Sequence, residues 1–292
     1  MQNLYEETKF IMKKYNVSAN KNLGQNFLID YDVIDAIINA SEISKDDLII
    51  EIGPGLGTLT KFLLEKAGKV IAVELDNKMV HILNDRFANY KNFEIINADI
   101  LKIDLNEIIK SNKIEKKFRN AKVVANLPYY ITTPILMNLL ENKLDLESIT
   151  IMIQKEVADR IVAIPGSKLS GAITYSVYYY SIPESKKIVP NTSFIPMPQV
   201  DSEVINLKIR KEPLVFIENS ELFFKLIKAS FMQRRKTLIN ALQNAKILNS
   251  KEEIKEMLIK LNLNESIRGE KLSMQDFANI ANFINNNHNK KW

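Results

Sequence analysis

Asn126-Leu127-Pro128-Tyr129 places an amide, a rigid turn and an aromatic ring directly after Lys122-Val123-Val124-Ala125, a run that reads as a buried strand. These are the groups needed to work on the amino group of a flat base. The exocyclic amine of adenine donates its lone pair into the ring and is a poor nucleophile. A catalyst must therefore accept hydrogen bonds from its N–H groups and draw the nitrogen toward tetrahedral geometry. The Asn126 side-chain oxygen and the Leu127 carbonyl are of the right type. Pro128 fixes φ and holds the turn, and the Tyr129 ring offers a face on which an extruded base can stack. The same four residues also suit an ordinary Asn-x-Pro turn.

A second motif lies upstream. Leu48-Ile49-Ile50-Glu51-Ile52 reads as a buried strand, followed by Gly53-Pro54-Gly55-Leu56-Gly57 and a helical run from Thr58 to Lys66. This is the strand, glycine loop and helix of a nucleotide-binding α/β unit, with Gly53 and Gly55 letting the backbone approach a ligand. The next strand, Lys69 to Val73, ends at Glu74, whose carboxylate can accept both hydroxyls of a ribose. A nicotinamide cofactor would use the same parts. The spacing G-x-G-x-G, with Pro54 inside it, favours S-adenosylmethionine, which has no pyrophosphate to cradle. A third strand, Phe93 to Ile96, leads into Asn97-Ala98-Asp99-Ile100. There Asp99 can accept from the cofactor's adenine amino group, with Ile100 beside it as a further contact; a lone Asp at a strand end is also a common loop or cap residue.

These segments stand in order with Asn22-Leu23-Gly24-Gln25-Asn26-Phe27-Leu28, Phe194-x-Pro196-x-Pro198-x-Val200-Asp201-Ser202 and Gln233-Arg234-Arg235-Lys236-Thr237-Leu238. From about residue 20 to about residue 280 the chain resembles the ribosomal RNA adenine dimethyltransferases. The resemblance implies a Rossmann-like class I S-adenosylmethionine-dependent methyltransferase sheet with a small all-helical C-terminal domain. It implies an enzyme that dimethylates N6 of two adjacent adenosines in the 3'-terminal hairpin loop of small-subunit (16S) rRNA, within an assembling 30S-type particle. Transfer would be direct and in line, without covalent intermediate or metal. Asn126, Leu127, Pro128, Tyr129 and Phe194 would form the catalytic set, and Gln25, Asn26 and Leu28 would cover the cofactor. Phe194 would close the second face of the base opposite Tyr129, or else merely pack its Pro-x-Pro loop on the sheet. Base–aromatic stacking contributes roughly 1–3 kcal/mol per base, which offsets the unstacking of an unpaired nucleotide and favours RNA loops over duplex DNA.

Three alternatives stay open. The macrolide-resistance methyltransferases share the catalytic turn but act on large-subunit RNA, and the Phe-x-Pro-x-Pro and Gln-Arg-Arg-Lys segments argue for the small-subunit relatives. DNA adenine methyltransferases typically carry Asp- or Asn-Pro-Pro-Tyr. A non-catalytic RNA-binding or assembly factor on the same fold would keep the shape without the turnover. One departure is visible: Tyr130-Ile131-Thr132-Thr133 follows the catalytic turn where many relatives have Asn-Ile-Ser-Thr.

The composition narrows the chemistry. With no cysteine among 292 residues, disulfides, thiolate nucleophiles and cysteine metal sites are excluded. Only His81 and His288 are present, so no histidine metal cluster is expected, and His81 suits a surface or packing role. A chain that is 46% hydrophobic and 26% charged can bury a substantial core. No run reaches membrane-spanning length, and the charged start lacks a signal-peptide core, so a cytoplasmic protein is expected; it is also expected to act as a monomer. Residues 211–292 hold fourteen Lys and Arg against nine Asp and Glu, whereas residues 1–210 are balanced. The whole net charge of +5 thus sits in the C-terminal part. An acidic polymer suits such a region, with Arg234, Arg235 and Lys236 as the RNA contacts, although the excess also fits an ordinary solvated surface and the arginines could instead brace the fold.

These pieces need a scaffold. Strands and helices alternate from about residue 30 to 155, which predicts a parallel sheet with the ligand at the carboxyl ends of its strands. Ser148–Ile153, Lys186–Val189 and Val204–Ile209 complete seven strands. Asp30 is expected to cap a helix through Asn39, and Thr133-Pro134 to start the helix after the catalytic turn. Beyond Pro213 only helical patterns follow, one of them running unbroken from Glu221 to Ala245 and carrying the basic cluster, before a frayed Asn-rich end at 285–289. The expected division is therefore a catalytic, cofactor-binding domain over residues 1–210 and a basic helical RNA-binding domain over 211–292.

Overall fold

The computed structural model describes residues 3–20, 23–116 and 118–288; Asn22 of the N-terminal motif and Asn289 lie outside them. In chain order the elements are α1 (Leu4–Lys14), β1 (Phe27–Leu28), α2 (Tyr31–Ser41), β2 (Asp47–Ile52), α3 (Thr58–Lys66), β3 (Lys69–Glu74), α4 (Asn77–Arg86), β4 (Phe93–Asn97), α5 (Leu105–Lys116) and β5 (Asn120–Asn126). There follow α6 (Thr132–Glu141), β6 (Ser148–Gln154), α7 (Lys155–Val162), α8 (Ala172–Tyr180), β7 (Ser181–Val189), β8 (Phe194–Ile195) and β9 (Ser202–Ile209). The remaining elements are α9 (Ser220–Met232), α10 (Leu238–Asn244), α11 (Lys251–Lys260) and α12 (Met274–His288).

Seven strands form one sheet in the order β4-β3-β2-β5-β6-β9-β7. Strands β2 to β6 run parallel, and β9 is antiparallel to β6. β2, β3 and β6 read as near-continuous apolar runs because parallel strands are covered on both faces. Paired residues share a face, so Ile49, Val70, Val124, Met152 and Val204 lie together. They pack against Val33, Ile34 and Ile37 of α2 and Leu59, Leu63 and Leu64 of α3. The chain leaves β2 toward β3 and β4 on one side, while β5 and β6 extend the other. β2 and β5 therefore flank the switch point, where a crevice opens at the strand ends.

Two short additions matter to that crevice. β1 pairs antiparallel with β8, Leu28 opposite Phe194. Asp30 caps α2 as expected, accepting from the Asp32 N–H, and its second oxygen accepts from the Ser193 hydroxyl at 2.7 Å. The expected start of α6 shifts. Tyr129–Ile131 forms a 3-10 turn and α6 begins at Thr132, so Thr133 and Pro134 fall inside its first turn and do not cap it. The Thr132 hydroxyl instead donates to the Pro128 carbonyl at 3.0 Å, which anchors the catalytic turn to the helix.

The chain divides into two compact units, residues 1–158 with 183–209 and residues 159–182 with 210–292. A single cut at residue 210 does not describe them, because α8 shares a core with the C-terminal helices. Tyr175 of α8 is fully buried among Phe223, Leu226, Ile227, Leu272 and Phe277. Its ring lies 5.3 Å from Phe231 and 5.1 Å from Phe277, and its hydroxyl donates to the Leu272 carbonyl. The long helix expected over Glu221–Ala245 is broken in two. Residues 233–237 leave helical geometry, Thr237 caps α10, and the Leu238 N–H donates to the Ile267 carbonyl at 2.7 Å instead of continuing a helix.

Candidate active site

The carboxyl ends of β2, β3 and β5 and the loop after β4 surround a pocket with about 1150 Å³ of empty space, its open mouth included. Gly53 and Gly55, Glu74, Asp99 and Ile100, and Asn126 to Tyr129 all line it, joined by Gln25, Asn26, Leu28 and Phe194. Residues as far apart in the sequence as Gln25 and Phe194 are thus brought to one cavity by the parallel sheet and the β1–β8 pair. Arg234, Arg235 and Lys236 belong to the second unit.

Asn126 ends β5 with its side chain held. Its Nδ2 donates to the Asn26 carbonyl at 3.3 Å, which aims Oδ1 as the acceptor. The Leu127 N–H is engaged by the Met152 carbonyl at 3.1 Å. The Tyr129 hydroxyl is 2.7 Å from the Ser202 hydroxyl, and burial pushes its pKa up, so the phenol stays neutral. Phe194 is 3% exposed and packs with Leu28 in the core below the pocket wall. Its loop is braced by the Asn191 amide, whose Nδ2 donates to the Pro198 carbonyl, and by the Asn191 N–H bonding to Asp201.

On the other wall, Glu74 accepts from the Asp76 N–H at 2.8 Å and from the Gly55 N–H at 3.2 Å. Burial pushes its carboxyl above the ordinary value in spite of these bonds. Asp99 accepts from the Leu101 N–H at 3.0 Å and lies 3.7 Å from Lys102. Gly57 closes the glycine loop at φ +80°, and a Cβ there would come within 2.6 Å of Phe87 and 2.7 Å of Leu83. No other residue fits both that conformation and that space. Gln25 lines the pocket with its own amide occupied, donating to Asp76 at 3.1 Å and accepting from the Asn20 N–H.

Three participants escaped the sequence reading. Glu51 is 1% exposed, lines the pocket, and has an Oε2 with no hydrogen-bond partner among the described residues. Burial, with the charge of Glu74 adding to it, pushes its pKa up to about 8. Its signal was an acid inside an otherwise apolar strand, immediately before the glycine loop. Ser202 was read only as part of a motif. Tyr130, noted only as a departure, lines the mouth and is 58% exposed. Among the described residues no group of three or more metal-ligating side chains occurs, and no helix is long and apolar enough to cross a membrane.

Residues 16–286 match the family model described as ribosomal RNA adenine dimethylase. The chain belongs to the ribosomal RNA adenine dimethylase family. It is 48% identical over 275 residues to ribosomal RNA small subunit methyltransferase A of Alkaliphilus metalliredigens, covering 94% of this chain and 95% of the relative. Among solved structures it is similar to a dimethyladenosine transferase from Plasmodium falciparum, with a TM-score of 0.75, 26% identity and coverage of 90% of this chain and 98% of that one. The 23S rRNA methyltransferase ErmE shares the fold at a TM-score of 0.67 and 23% identity, over 89% of this chain and 100% of the other. The seven-stranded sheet is thus the class I methyltransferase sheet expected from the sequence, and members of this dimethylase family are methyltransferases.

Proposed function

We propose that this protein transfers methyl groups from S-adenosylmethionine to N6 of adenosines in small-subunit rRNA, forming dimethyladenosine at two adjacent positions of the 3'-terminal hairpin loop in an assembling particle. The observation that carries the reading is Asn126, fixed by the Asn26 carbonyl on the wall of a pocket that also holds the glycine loop and Glu74. The relatives named for the small subunit support that choice of RNA.

The pocket fits the cofactor by its chemistry. Glu74 offers carboxylate oxygens to a ribose diol, Asp99 an acceptor to an adenine amine, and the unpartnered Glu51 Oε2 an acceptor to a donor-bearing ligand. When bound, S-adenosylmethionine supplies a methyl group already activated on a sulfonium. Asn126 Oδ1 and the Leu127 carbonyl accept from the N6–H groups of the base and localise its lone pair on nitrogen. Tyr129, held by Ser202, stacks the base from one side and Phe194 limits it on the other. Positioning and electrostatics carry the rate; methyl transfer would break the sulfonium's S–CH3 bond as the N–CH3 bond forms, leaving a neutral thioether, and the amine would give up one proton to solvent. Arg235 and Lys236, both exposed, would contact phosphates, and the enzyme would work as a cytoplasmic monomer.

The test is incubation of the purified protein with labelled S-adenosylmethionine and, separately, unmethylated small subunits, large-subunit RNA and duplex DNA, followed by nucleoside mass spectrometry. Dimethyladenosine from small subunits alone is the expected result. Label in large-subunit RNA would reassign the substrate, and label nowhere would reduce the protein to a binding factor.

A further inference from the structure

We infer that Tyr130 is a positioning residue that stacks the nucleotide next to the target adenosine; this rests on the function proposed above. Tyr129 and Tyr130 are consecutive, yet the 3-10 turn sends them to different places. The Tyr129 hydroxyl is tied down at Ser202, whereas Tyr130 lines the mouth with more than half its surface open. Exposure of a single aromatic is ordinary on a protein surface, but this ring stands at the rim of the pocket that holds the catalytic turn. The ring is also held in place. Gly24 sits against it at φ +61°, and a Cβ there would meet the Tyr130 ring at 3.3 Å and Pro128 at 3.6 Å. The glycine thus lets the N-terminal segment back the Tyr130 ring and the catalytic turn together. The ring is a fixed platform one residue beyond the aromatic that takes the target base.

The ligand chemistry follows from the geometry. An extruded base leaves its neighbour without a stacking partner, and a ring at the pocket rim offers one to any base, purines most strongly. On a substrate with two consecutive adenosines, the platform would hold one while the other is in the pocket, and exchange them for the second modification.

The experiment compares wild type, Tyr130→Ala and Tyr130→Phe on unmethylated small subunits, and on particles reconstituted around transcripts with uridine on either side of the target adenosine. Stacking of this size corresponds to roughly 5- to 150-fold. Tyr130→Ala should raise KM for the particle by about tenfold or more with kcat and cofactor affinity little changed, and Tyr130→Phe should restore it. The uridine substitution on the side facing the ring should raise the wild-type KM but add little to that of Tyr130→Ala. Fully additive penalties on both sides, or an unchanged KM in Tyr130→Ala, overturn the inference alone. Absence of methyl transfer by the wild-type enzyme overturns both it and the function on which it rests.

Discussion

Asn126 and Glu51 show how much one side chain's surroundings decide. Asn126→Ala removes the acceptor that polarises the amine and keeps the cofactor wall intact. Methyl transfer in single turnover should fall about 10²- to 10³-fold, as when one preorganised hydrogen bond is lost, while calorimetry finds cofactor affinity within about twofold. Glu51 contributes a component of the pH dependence beside that of Glu74, whose pKa burial also raises. The Glu51 carboxyl titrates near 8 in the fold against an ordinary 4.5, so between those values the folded protein retains a proton that the unfolded chain has released. Stability is therefore lost as pH rises through that window. Scanning calorimetry should show Tm of the unliganded wild type falling between pH 5 and 8, and Glu51→Gln should remove that component; parallel curves would show that Glu51 does not titrate there. Asn126 and Glu74 could be placed at the pocket because each ends a strand whose apolar pattern announces it, and Asp99 because it lies two residues beyond the end of β4. Glu51 was not, since an acid inside a strand looks like an interruption until its neighbours are known to bury it.

Among the elements, the sheet's opposite end carries a polar network. Lys122 of β5 lies 3.1 Å from Asp47 of β2 and donates to the Glu42 carbonyl at 2.6 Å. Burial pushes Asp47 up, but the Ser44 N–H, Lys122 and Asn120 outweigh it and hold the carboxyl below its ordinary value. Lys122→Met strands that buried carboxylate and should cost about 3–5 kcal/mol in denaturant unfolding, with the double variant Lys122→Met/Asp47→Asn recovering part of it. The five parallel strands β2 to β6 could be read from their apolar runs, because the inner parallel strands have no solvent face to interrupt them, whereas β7 begins at Ser181, five residues before the expected Lys186, because its polar first half shows no apolar run. The break between α9 and α10 could not. Phe231 and Leu238 stand two helical turns apart, and Gln, Arg and Lys are good helix formers, so local pattern continues across 233–237. The pull of the Ile267 carbonyl on the Leu238 N–H is tertiary and leaves no mark in the local sequence. β1 and β8, two residues each, are too short to show a period.

The charge asymmetry of the whole molecule was legible in composition, but the division of labour within the basic cluster was not. Arg234, Arg235 and Lys236 are all exposed, but Arg234 Nη2 donates to the Lys168 and Ser170 carbonyls at 3.1 and 2.9 Å and lies 3.6 Å from Glu270, while among the described residues no side-chain hydrogen bond or ion pair holds Arg235 or Lys236. Arg234→Ala should therefore lower Tm. Arg235→Ala/Lys236→Ala should leave Tm alone, weaken particle binding and reduce the slope of log affinity against log salt by about 1–2. Equal loss of binding in both variants, with Tm unchanged in both, would contradict that split.

The placement of Tyr175 carries a consequence for biosynthesis. The ribosome delivers α8 well before α9 to α12, so during translation the apolar surface that surrounds Tyr175 must wait, unburied, for roughly the last third of the chain. A catalytic fragment made by stopping at residue 210 would be left in that waiting state permanently, with Tyr175 stripped of Phe231 and Phe277. A fragment limited to the first unit would have to leave out residues 159–182 as well as those from 210 onward.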